Sequence, residues 1–128
     1  MSNITGRDTR QEGQYDLPEI LEVEATRVRY PQPRIYFVGR EQREAREAVE
    51  ILVRTSRSLP VMAMPPVIFV GETPILEYGQ AGPKRYRFYV FQPERLQAGS
   101  PISIGWPDDP ASKVPTRFRY EPSDPAAA

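Results

Sequence analysis

Proline sets the tightest limit on what this sequence can fold into. Fifteen of its 128 residues are proline, about twice the usual share. A proline inside a helix removes a hydrogen bond and clashes with the preceding turn. The spacing therefore argues against a helical bundle and for short strands joined by stiff loops. The length is that of one domain able to bury a single core without metals or disulfides. The expected fold class is mainly β.

The stretch Val67 to Pro122 carries most of this grammar, with short apolar runs separated by Gly, Pro and Asp. Val67 to Val70 reads as an apolar strand, Gly71 to Pro74 as a turn, Ile75 to Tyr78 as the return strand and Gly79 to Pro83 as a second turn. Lys84 to Phe91 is the longest clean alternation, with Tyr86, Phe88 and Val90 on one face and Arg85, Arg87 and Tyr89 on the other. Pro93 to Leu96 is expected to make one helical turn, with Leu96 plugging the core and Gly99 permitting a reversal. Ile102, Ile104 and Trp106 then face inward, Pro107 to Pro115 reads as a loop, and Thr116 to Tyr120 closes with Phe118 and Tyr120 inside.

Upstream, Leu21, Val23 and Ala25 alternate with Glu22 and Glu24, as on a half-buried strand. Beyond Ala25 the apolar positions become Val28 and Tyr30, so the parity slips and a β-bulge is expected near Thr26. Arg34 to Val38 reads as the next strand. An amphipathic helix is expected over about 41–57, because Ala45, Ala48, Val49, Leu52 and Val53 recur at three- and four-residue spacing. Arg43 with Glu47, and Glu50 with Arg54, would pair on its wet side. The β-branched run Val49 to Val53 can also be read as a strand. Leu59 to Pro66 is apolar but broken by prolines, a packed loop or edge segment with methionines as gap-fillers.

Some seven short strands at turn-punctuated spacing predict an immunoglobulin-like antiparallel β-sandwich covered by that helix. The succession VGETPI, RYRFYV, a proline link with Leu96 and Gly99, PISIGW and a terminal FRYEP resembles the immunoglobulin-like IPT/TIG domain. PEILEVEATRVRY followed by RIYFVG is similar to the first two strands of that family. The resemblance spans about residues 18–122. It implies a Greek-key sandwich used for binding and assembly rather than catalysis. The polar residues 1–17, with Tyr15 and Leu17 as their only anchors, and the Pro/Ala-rich residues 123–128 are expected to be flexible tails outside the domain.

Residue inventory narrows the function. The chain has no Cys and no His, which removes disulfides, the usual zinc sites, thiol nucleophiles and His-based triads. No metal or cofactor is expected, and no enzymatic activity. The acidic and basic residues balance at 17 each, so no net field draws in nucleic acid or an anionic membrane. The polar N-terminus lacks the apolar core of a signal peptide, and no run of about 18 apolar residues occurs. Membrane insertion is not expected; the anticipated place is the cytoplasm, or a virion or similar assembly.

Three Arg-x-Arg pairs stand out: Arg27 and Arg29, Arg85 and Arg87, Arg117 and Arg119. On one shared sheet, six guanidinium groups would line one face with Tyr89 able to stack, a grip for phosphates or for a carboxylate-rich protein partner. The plainer alternative is that they pair with Glu22, Glu24, Glu77 and other nearby carboxylates. Asp108 and Asp109 read as a polar turn rather than a cation site. Acid pairs such as Glu72 with Glu77 could in principle serve glycoside hydrolysis, but paired carboxylates on solvated turns are common, and Trp106 is expected in the core rather than on a sugar platform. The inventory favours a small non-enzymatic structural or accessory subunit of a protein assembly, whose partners are other protein subunits or further copies of itself. A nucleic-acid-binding module and a carbohydrate-binding domain are the alternatives.

Overall fold

The computed structural model describes residues 17–30 and 46–124. They form two four-stranded antiparallel sheets. The first has the order β1-β2-β6-β5, with β1 Ile20–Tyr30, β2 Arg46–Thr55, β5 Tyr78–Gly82 and β6 Arg85–Val90. The second has the order β4-β3-β7-β8, with β3 Val67–Val70, β4 Thr73–Pro74, β7 Pro101–Trp106 and β8 Asp109–Arg119.

The residues that alternate inward along β6 and β7 do so for the reason given by their period. Tyr86, Phe88 and Val90 are buried while Arg85 and Arg87 are exposed. Ile102 and Ile104 join them, with Ile68, Val70 and Tyr120, in one hydrophobic core fed by both sheets. Burying a side chain the size of Phe88 or Ile102 contributes about 1.5–3 kcal/mol. All four residues of β3 are buried, so both faces of that inner strand are covered. Leu96 packs against the core after a single 3-10 turn at Pro93–Arg95, and Gly99 takes a positive φ of 89° where the chain reverses.

The helix expected over about 41–57 is overturned: Arg46–Thr55 is strand β2, the inner strand that pairs β1 on one side and β6 on the other. Val49, Ile51 and Val53 point into the core, and Glu50 and Arg54 find partners across the sheet instead of each other, while Arg43 lies outside the described residues. The bulge also moves. β1 and β2 keep register from Glu22 to Tyr30, and the irregularity lies between Ile20 and Glu22, which lets Ile20 share the core with Ala25.

Three loop assignments change as well. Thr73–Pro74 is a short strand beside Phe69 and Val70. Tyr78–Gly82, expected mostly as a turn, is strand β5 at the edge of the first sheet. Residues 109–115, expected as loop, already belong to β8, which leaves only Pro107 and Asp108 between β7 and β8. In the 59–66 segment Leu59 and Pro66 are buried, but Val61 and Met64 are exposed, so Met64 fills no gap.

After Tyr120 the chain crosses to the first sheet. Ser123 bridges Thr26 in parallel, accepting from the Arg27 N–H at 2.8 Å and donating to the Ala25 carbonyl at 3.0 Å. Ordered contacts thus reach past Pro122, and at the other end Leu17 packs on the core. The expected strand at 34–38, the side chain of Tyr30 and most of both expected tails lie outside the described residues.

Candidate functional site

The three arginine pairs do not share one face. β1 and β6 belong to the first sheet and β8 to the second. Within the first sheet, register separates the pairs again. Val53 stands opposite Tyr86 and Ile51 opposite Phe88 on the core side, so Arg85, Arg87 and Tyr89 occupy the outer side with Leu52, Arg54 and Glu50 of β2. Glu22 lies opposite Arg54, and Glu24 opposite Leu52, on that same outer side. Arg27 and Arg29 instead continue the parity of Val23 and Ala25, and emerge at one end of the core.

The outer side of the first sheet is a ladder of mixed charge. Arg54 Nε donates to Glu22 Oε1 at 2.9 Å, and Arg87 Nε lies 3.6 Å from Glu50 Oε1. The hydrogen bond from Arg54 and its charge hold the Glu22 carboxyl below the usual carboxylate range, with Arg85 adding to the effect. Tyr89 stacks on Phe91, centroids 5.9 Å apart and planes 10° from parallel. Arg54 is the member of this face that the sequence concealed, because a helix would have turned it toward Glu50.

The end where Arg27 and Arg29 emerge holds a cleft of about 330 Å³. Val49, Leu96, Ala98 and Tyr120 supply apolar walls, and Glu47 and Asp124 sit with the two arginines. Arg29 donates to Glu47 Oε2 at 3.1 Å. Arg27 lies 3.9 Å from Asp124, beyond hydrogen-bonding distance. The Tyr120 hydroxyl is buried and has no hydrogen-bond partner among the described residues. Burial pushes its pKa up, and the Arg27 charge opposes that shift only in part.

Arg117 and Arg119 are spent locally. The Arg117 guanidinium lies 4.7 Å from the Phe118 ring centre, and Arg119 donates to the Gly99 carbonyl at 2.8 Å, bracing the reversal before β7. Asp109 supports the tight β7–β8 turn: the Ser112 hydroxyl donates to its carbonyl at 2.6 Å and accepts from the Trp106 N–H at 2.9 Å. Among the described residues no group of three or more Asp or Glu side chains is placed to hold a metal ion, and no helix is long and apolar enough to cross a membrane. Glu72 is committed to Lys113 at 2.6 Å, and Trp106 is buried rather than on an open groove.

No protein-family model, curated protein or solved structure matched the chain.

Proposed function

We propose that the chain is an immunoglobulin-like, IPT/TIG-type interaction module that serves as a non-enzymatic subunit of a larger protein assembly. Its strand orders, β1-β2-β6-β5 and β4-β3-β7-β8, are compatible with a Greek-key sandwich of that type.

The observation that carries the proposal is the outer side of the first sheet, where Glu22, Glu24 and Glu50 are interleaved with Arg54, Arg85 and Arg87. A polyanion gains affinity by replacing counterions on unopposed cations. Here it would have to displace or approach carboxylates held on the same strands. A protein surface with its own alternation of charge can match both signs and exchange ion pairs, which fixes register as well as attraction. Arginine and tyrosine are also the side chains enriched at such interfaces. Protein partners are favoured over nucleic acid on this ground.

The native mass of the chain, isolated from its source at low salt, tests the proposal. A subunit elutes in a complex well above the 14.6 kDa of one copy. Recovery as a free monomer alone contradicts it.

A further inference from the structure

We propose that the cleft bounded by the end of the β1–β2 pair, the Pro93–Ala98 link and Tyr120 is a binding site for a carboxylate carried on an apolar body. The inference stands on the cleft itself and not on the assembly proposed above.

The size, about 330 Å³, falls in the range of small-ligand sites, which are typically apolar with a few converging polar groups. Val49, Leu96, Ala98 and the Tyr120 ring form an apolar surface. Two donors of the lining residues make no side-chain hydrogen bond among the described residues. The Tyr120 hydroxyl lacks a partner among the described residues although its residue is only 2% exposed, and a buried hydroxyl left unpaired carries a penalty that a bound acceptor removes. Among the described residues the Arg27 guanidinium is held only by Asp124, whose side chain is 88% exposed and 3.9 Å away. An exposed pair at that distance stabilises little, so an incoming carboxylate can take the place of Asp124 on Arg27.

A ligand carboxylate accepts from both donors at once: one oxygen from the guanidinium, the other from the phenol. Arg29 does not compete for it, because Glu47 already occupies Arg29 at 3.1 Å. The hydroxyl is closed off in the free chain, so binding requires the cleft wall over it to open. Two sources offer this chemistry, a free apolar carboxylic acid and the C-terminal carboxylate of a peptide ending in an apolar residue.

Titration of the full chain, followed by amide chemical shifts, tests the site. The probes are phenylacetate and a tripeptide ending in leucine with a free carboxylate. Phenylacetamide and the amidated tripeptide are the controls. Saturable shifts at Val49, Leu96 and Tyr120 are expected with at least one acid and with neither amide, and the acid that saturates at lower concentration identifies the source. Tyr120→Phe and Arg27→Gln should each weaken that binding about ten-fold, the worth of one charge-assisted hydrogen bond. Both variants keep the packing of the wild type, which their amide spectra verify. Absence of saturation with both acids overturns the proposal. So do amides that bind as well as the acids, or either variant binding with the wild-type Kd.

Discussion

Two tyrosines in one core differ by a single hydrogen bond. The Tyr86 hydroxyl accepts from the Leu59 N–H at 2.9 Å, tying the segment after β2 to strand β6. The Tyr120 hydroxyl has no such partner among the described residues. Removing a satisfied buried hydroxyl orphans its partner, whereas removing an unsatisfied one relieves a desolvation cost. Tyr86→Phe should therefore lower stability by about 1–3 kcal/mol, and Tyr120→Phe should leave it unchanged or raise it by about 1 kcal/mol, both read from urea denaturation midpoints. The inward places of both rings were legible from the alternation of RYRFYV and RFRY. Which hydroxyl is satisfied was not, because Leu59 is remote in sequence from Tyr86.

Strand β2 shows how two periods can be read into the same residues. Ala48, Val49, Leu52 and Val53 fit a helix face, while Val49, Ile51, Val53 and Thr55 fit one side of a strand. The strand prevails because β1 and β6 flank it on both sides and supply its ladder bonds, and because β-branched residues suit the pleat. Ile51 separates the alternatives. It is wholly buried in the strand, while Leu52 on the outer side is only half-buried; on a helix bearing the expected face, Leu52 would be the core residue. Ile51→Ala should cost about 2–5 kcal/mol and Leu52→Ala clearly less, by the same denaturation measurement. Residues 79–82 of β5 and 109–115 of β8 escaped sequence reading for another reason. Both lie at sheet edges, where Pro110, Pro115 and the glycines of YGQAG are tolerated because one side of the strand needs no ladder bonds. The outward alternation of each arginine pair was visible in the sequence. Its sheet membership was not, since that depends on pairings between strands distant in the chain.

At the scale of the whole molecule, crossing between sheets distributes the charged surfaces. β6 carries Arg85 and Arg87 to the outer side of the first sheet, β8 keeps Arg117 and Arg119 on the second, and the segment after Tyr120 returns to β1 through Ser123. Fifteen of the seventeen basic residues are arginine, the side chain suited to planar pairing with carboxylates. That preference fits a ladder in which Arg54 and Arg87 each meet a glutamate of a neighbouring strand. If this side meets a protein partner, its carboxylates become shielded on assembly. Carbodiimide labelling of Glu22 and Glu24, compared by mass spectrometry between the free chain and the complex isolated from its source, measures that directly. The proposed interface predicts strong labelling of both in the free chain and loss of labelling in the complex. Equal labelling in the two states would contradict it.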